Sequence, residues 1–264
     1  MKSRLLAFAL CALLVPAAVA VQLDQPASKA QPQEARRPLL WKVSDADNAV
    51  YLLGSFHLLK ADDYPLPVEV DRAFDDSASL LFEIDPAAMS APDSMAVMQK
   101  YMAYEDGKSL STVLPGPTLE KLSTLVSAGG GSVQALEHSE PWEVSLGLVL
   151  GVTRAMGFSP ELGLDRKLMA RASEAGKPVA GLETVEDQMR AEMARKTPES
   201  YRLLDVERNR AWLPQVEKRL SESKKDNTLV VVGSLHLLGS DGLVEQLKAK
   251  GYAVERICDS CAVD

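Results

Sequence analysis

Two of the three histidines in this 264-residue chain sit in nearly the same phrase. Leu52-Leu53-Gly54-Ser55-Phe56-His57-Leu58-Leu59 and Val231-Val232-Gly233-Ser234-Leu235-His236-Leu237-Leu238 share Gly-Ser-x-His-Leu-Leu, each after an apolar run. Imidazole transfers protons and binds metals near neutral pH. A lone histidine among leucines reads as a packed, hydrogen-bonded core residue, but the repetition argues for two imidazoles brought to one site. Glycine after a strand lets the backbone turn sharply, so that a side chain three residues on points back over the strand end. His138, in the polar stretch Glu137-His138-Ser139-Glu140, reads as a surface residue.

Carboxylates close two further apolar runs. In Leu80-Leu81-Phe82-Glu83-Ile84-Asp85, Glu83 and Asp85 share one face by strand alternation. Glu183 ends Val179-Ala180-Gly181-Leu182-Glu183 in the same way. A helix N-terminal charge is the plain alternative for Asp85 and Glu183; it is weaker for Glu83, which follows three large apolar residues. Arg208 recurs with Leu204 and Trp212 at helical spacing, so it lies within an apolar stripe and needs an anionic partner or a route to the surface. Asp165 interrupts another stripe near Leu168 and Met169, where compensation of a helix dipole is the competing reading.

The elements that must position these groups follow from patterning. Leu40–Val43 and Val50–Leu53 flank the polar cluster Ser44–Asn48 and predict a β-hairpin. A short helix over 68–74 precedes a strand over 79–85. Residues 91–156 carry helical stretches broken by Pro115-Gly116-Pro117 and Gly129-Gly130-Gly131, which predicts a helical insertion. Ser159-Pro160 opens a helix ended by Gly176, a strand covers 178–182, and Thr184-Val185-Glu186-Asp187 resembles a capping box. A long helix over 198–221, bent at Pro214, leads to the β-branched and aliphatic run Thr228–Val232, a strand buried on both faces. A helix over 242–250 and a strand over 252–256 complete the domain. The expected fold class is α/β: a central, mostly buried mixed sheet flanked by helices, in one domain over 39–257.

Composition bounds the function. A formal net charge of −8 with no basic stripe argues against nucleic-acid binding. Lys2 and Arg4, the apolar run Leu5–Val15 and Ala18-Val19-Ala20 read as an export signal over residues 1–20, cleaved after Ala20. A flexible leader over 21–38 follows, and no stable membrane anchor is expected after cleavage. The expected destination is the periplasm or the exterior. Cys258 and Cys261, in the tail 258–264, read as a local disulfide rather than a redox motif, because almost no chain follows them.

The two Gly-x-x-His phrases, Leu80-Leu81-Phe82-Glu83, Gly163-Leu164-Asp165, Gly181-Leu182-Glu183-Thr184 with Gln188, Glu207-Arg208-Asn209 and the closing Gly233–Gly239 together resemble the TraB/GumN family over Leu40–Arg256. That resemblance implies kinship with Tiki-type metalloproteases and, more distantly, with erythromycin esterase-like and ChaN-like proteins. It makes His57, His236 and Glu83 candidate metal ligands or catalytic groups, joined by Glu183, Arg208 and Asp165. The leading expectation is an exported metal-dependent hydrolase, a peptidase acting on a peptide or protein. Its divalent ion, manganese, cobalt or zinc, would sit in a mixed nitrogen and oxygen site. One glutamate would be ligand and the other base, and Arg208 would hold a carboxylate or stabilise an oxyanion. A metal-free esterase-like hydrolase, an iron- or haem-binding protein, and an accessory role in surface polysaccharide production are the alternatives.

Overall fold

Leu40–Ser44 (β1) and Ala49–Ser55 (β2) pair antiparallel around the polar turn, with Leu40 opposite Leu53 and Ser44 opposite Ala49. The computed structural model describes residues 37–104, 107–193, 199–222 and 226–261. The expected export signal, the leader as far as residue 36, the long helix's expected start at Pro198 and the last three residues of the tail lie outside the described residues.

Val68–Asp76 (α1) leads into Ser77–Ile84 (β3). The short Pro86–Met89 (α2), Pro92–Met102 (α3), Leu110–Val113 (α4), Gly116–Ala128 (α5) and Pro141–Ala155 (α6) follow, with a small core of their own around Leu110, Leu122, Val133 and Val144. Leu164–Glu174 (α7), Val179–Glu183 (β4) and Val185–Met193 (α8) return the chain to the sheet. Glu207–Glu222 (α9), Asn227–Gly233 (β5), Leu243–Ala249 (α10) and Ala253–Arg256 (β6) end the domain.

The six strands form one mixed sheet in the order β4-β3-β5-β2-β1-β6. β4, β3, β5 and β2 run parallel to one another, and β1 runs against its neighbours β2 and β6. β5 is central and buried on both faces, as its uninterrupted apolar run requires. Trp212, Val216, Leu220 and Leu247 cover one face of the sheet; Val70, Phe74, Leu164 and Leu168 cover the other. Among the described residues no helix is long and apolar enough to cross a membrane.

Three local expectations change. Ser159 caps only a single turn over Pro160–Leu162, and the helix restarts at Leu164. Gly163 separates the two because a Cβ there would lie 2.4 Å from the carbonyl oxygen of His57. The long helix opens with a π-turn, Arg202–Val206, a feature often found beside functional groups. Gly54 and Gly233 are not sharp left-handed turns, since neither is among the glycines with positive φ. They serve close approach instead: a Cβ on Gly54 would meet Leu39 Cβ at 2.9 Å and Ser234 Oγ at 3.0 Å.

Candidate functional site

Because β4, β3, β5 and β2 are adjacent and parallel, their carboxyl ends line one edge of the sheet. Glu183, Glu83, His236 and His57 stand at or just beyond those ends, in that order. This is where α/β sheets place their ligands. α9 supplies Arg208 from one face and α7 supplies Asp165 from the other.

Arg208 is the hub of the buried half. Its Nε and Nη2 donate to the two oxygens of Glu183 at 2.9 and 2.6 Å, and Nη2 also donates to Glu83 Oε2 at 2.7 Å. Nη1 donates to the Leu204 carbonyl at 3.0 Å, in the π-turn, and to His236 Nε2 at 3.1 Å. All five guanidinium N–H groups are thereby directed inside the cluster, so Arg208 holds carboxylates in place and offers no donor to a substrate oxyanion. Burial works against the Arg208 charge, but Glu183 and Glu83 outweigh it and hold the group firmly protonated. The guanidinium also lies 4.7 Å from the Trp212 ring centre.

Glu83 is held from three sides: by Arg208, by the backbone N–H of Gly233 at 2.7 Å, and by Gln188 Nε2 at 3.1 Å. Burial alone would raise its pKa; Arg208, His236 and the Gly233 amide bring it below the usual carboxylate value. The Glu183 side chain is 5% exposed with both oxygens on Arg208, the geometry of a clamp rather than of a base.

The two histidines differ. His236 is 5% exposed and packs on Trp212 with ring centres 4.4 Å apart. The Asn209 amide donates through Nδ2 to the Asp241 carbonyl, which fixes its Oδ1 as the acceptor for His236 Nδ1 at 2.8 Å. The proton therefore sits on Nδ1 and the lone pair on Nε2. Burial pushes the His236 pKa down to about 4, so it is neutral at pH 7. The His57 side chain is 65% exposed, and its Nδ1 donates to Asp165 Oδ2 at 2.8 Å. That hydrogen bond raises the His57 pKa above the ordinary value, against the opposing effect of burial.

A cavity of about 540 Å³ opens at this edge. His57, Glu83, Asp165 and Gln188 line it together with the apolar Leu146, Leu150 and Met169, and Arg154 and Arg166 stand at its exposed rim. Its volume suits a small organic ligand. Asp85 lies outside this grouping, capping α2 through the Ala87 N–H at 2.8 Å. Cys258 and Cys261 form a disulfide, and neither lines the cavity.

Sequence reasoning assigned no role to Asn209 or Gln188, although both lie in the family-like phrases. Nothing in the one-dimensional pattern marks Asn209, since a helical asparagine beside an arginine has no signature of its own. It is 1% exposed and sets the His236 tautomer. Asp165, open to a dipole reading, is the partner of His57.

The donor set does not fit a metal ion as it stands. The His236 Nε2 lone pair and Glu83 Oε2 both accept from Arg208, which places a cation already at the position an ion would take. Among the described residues, no group of three or more His, Cys, Asp or Glu side chains is placed to hold an ion.

Fold and edge together define an α/β protein with an exposed His–Asp pair beside a buried arginine–dicarboxylate clamp at the carboxyl ends of its parallel strands. The chain belongs to the TraB/PrgY/gumN family, whose profile matches residues 39–194 and 189–256. Among curated proteins it is similar to "Uncharacterized protein YbaP" of Escherichia coli (strain K12) and to its namesake in Shigella flexneri. Each is 23% identical over 139 residues, 53% of this chain and 50% of the relative. The chain thus matches about half the length of those relatives. No solved structure matches it.

Proposed function

We propose that this protein is an exported hydrolase of acyl bonds, amide or ester, with a peptide as the first substrate to try. The observation that supports the reading is the His57–Asp165 pair exposed at the cavity beside Glu83. Asp165 keeps the proton of neutral His57 on Nδ1, leaving the Nε2 lone pair to act as general base. His57 takes a proton from water as the water oxygen bonds to the acyl carbon. It returns that proton to the leaving amine or alcohol as the acyl bond breaks. Ionised Glu83, fixed from behind by Arg208, Gln188 and the Gly233 amide, favours the positive charge that His57 acquires at that moment. Arg208 and Glu183 act as positioning residues.

Metal-dependent hydrolysis is a second reading favoured by one observation. Both imidazoles are fixed through Nδ1, by Asp165 and Asn209, with Nε2 as the lone-pair nitrogen, which is how metal-binding histidines are held. Arg208 would have to withdraw for it to apply. A bound ion would acidify a water molecule.

The test is turnover of a peptide library and an ester panel by the full chain, with EDTA and after addition of manganese, cobalt or zinc. Activity that survives EDTA, falls about 10²–10⁴-fold in His57→Ala, and has an acid limb above the ordinary imidazole pKa near 6.5 is expected. EDTA-sensitive activity restored by one metal favours the second reading. Unchanged turnover in His57→Ala, or none on any substrate, overturns both.

A further inference from the structure

Arg154 and Arg166 reach the cavity of His57 and Glu83 from two different helices. On α6, Leu146, Leu150 and Arg154 recur at a spacing of four, so one stripe of the helix lines the cavity with two apolar side chains and then a cation. On α7, Arg166 follows Asp165 in the first turn. The negative end of the helix dipole suits Arg154 in the last turn of α6, but the dipole disfavours a cation at a first turn, where Arg166 stands. Among the described residues neither arginine makes an ion pair, whereas Arg72, Arg171, Arg190 and Arg202 each meet a carboxylate. Both residues are exposed, so a ligand can touch them. Their common neighbour is Glu161, which lines the same cavity. Its carboxyl is held below the ordinary value first by the Ser159 hydroxyl and, with less weight, by Arg154 and Arg166. The two guanidinium groups therefore act on one place, where they outnumber the one carboxylate between them.

The charges along the cavity give it a direction. Glu83 and Asp165, with side chains 11% and 18% exposed, are its deep carboxylates, and Arg154 and Arg166 are its exposed cations. An anionic group is repelled from the first pair and drawn to the second, where each guanidinium offers several N–H donors to a pair of oxygens. We propose that Arg154 and Arg166 form a rim subsite for a carboxylate, so that the protein takes ligands whose apolar chain lies along Leu146 and Leu150 and whose carboxylate is turned outward. In a peptide that carboxylate is the free C-terminus or an acidic side chain. The substrate class deepens the hydrolase reading and rests on it for the bond cleaved; binding at the rim does not require turnover.

Three probes with no scissile bond separate the two claims: hexanoate, n-hexanol and hexylammonium, titrated into the full chain near neutral pH and followed by NMR. Hexanoate is expected to bind about five- to tenfold more tightly than hexanol, the scale of exposed charge pairs, and more tightly still than hexylammonium. In about 1 M salt, where the screening length is about 3 Å, that preference should fall below about twofold. Arg154→Gln and Arg166→Gln should each cut it by about half and the double variant should remove it, with unfolding midpoints unchanged because both residues are exposed. Glu161→Gln, which removes the competing carboxylate, should strengthen hexanoate binding by about two- to threefold, a gain that a merely structural role of the arginines would not produce. Arg210→Gln, exposed and outside the cavity, should keep the full preference. Equal binding of the three probes by the unaltered protein, or a preference that survives the double variant, overturns the subsite. Acetyl-Leu-Leu with a free carboxylate, acetyl-Leu-Asp-amide and acetyl-Leu-Asn-amide then separate the terminal from the side-chain source: tighter binding of either acid supports the subsite, and equal binding of all three overturns it. Carboxylate preference in a protein that hydrolyses nothing retains the subsite and removes the hydrolase reading; hydrolysis without that preference does the reverse.

Discussion

The two Gly-Ser-x-His-Leu-Leu phrases leave adjacent parallel strands, β2 and β5, yet their members meet opposite fates. In the first, the serine hydroxyl is buried without a partner among the described residues and the histidine stands open at the cavity, tied to one carboxylate. In the second, the serine hydroxyl bonds to the backbone of the first phrase, and the histidine is sealed between Asn209, Arg208 and Trp212. One sequence pattern thus serves two jobs, and what surrounds it decides which. α7 delivers an aspartate to a half-open rim, and its hydrogen bond raises the His57 pKa above the ordinary imidazole value. α9 delivers an amide, a cation and an indole to a closed pocket, so His236 remains neutral. A repeated motif in a sheet of this kind therefore marks position, the strand end, more than role.

The contrast makes three predictions about stability. The largest effect belongs to Arg208→Ala, which leaves Glu83 and Glu183 buried without their cation and should cost about 3–5 kcal/mol in urea unfolding. A midpoint equal to that of the unaltered protein would mean that the second phrase is no more sealed than the first.

Next comes acidification. His236 has its pKa lowered by folding, so between its ordinary value near 6.5 and about 4 the unfolded chain binds a proton that the native chain does not. Stability is then full above about 6.5 and falls as the pH drops towards 4, by about 3 kcal/mol for this group. His236→Gln should lessen the slope of unfolding free energy against pH in that window, and His57→Gln should not lessen it. Equal slopes for both variants would break the distinction between the two phrases.

The smallest effect separates the glycines. Gly54→Ala puts a methyl 2.9 Å from Leu39 Cβ and 3.0 Å from Ser234 Oγ, where packed atoms must shift, and should cost about 1–3 kcal/mol. Gly233→Ala meets only Glu83 Oε1 at 3.2 Å and His236 Cδ2 at 3.5 Å, so its loss should be the lesser. Thermal melting of the pair checks the order; the reverse order would show that the Glu83 carboxylate is the more rigid neighbour.

What was legible in the sequence follows the same divide between local pattern and packing. The hairpin, the buried central strand and the helices covering the sheet were readable because they rest on period and turn chemistry, which one segment carries by itself. Glu83 stood out as an acid after three large apolar residues, and Arg208 as a cation inside an apolar stripe that needs an anion. The break at Gly163 was not readable, since its cause is the His57 carbonyl, distant in sequence. The π-turn before Arg208 was missed because its signal is a change of hydrogen-bond register rather than of residue type. Glu183 as clamp rather than base, and Asn209 as the setter of a tautomer, depend on which side chains converge across α9 and β5, and a single sequence carries no record of that convergence.

The strand order has a consequence for how the molecule assembles. β5 lies in the middle of the sheet but near the end of the chain, and its contacts with β2 span long separations, 179 residues for the bond from Ser234 to Ser55. Contacts of such high sequence separation form slowly, because loop closure must precede any gain from them. During synthesis, β2 and β3 therefore wait with their inner edges unpaired until residues 227–233 arrive. A fragment that stops before α9 lacks both Arg208 and the strand that joins β2 to β3, and the chain is most open to mispairing with other strands in that interval.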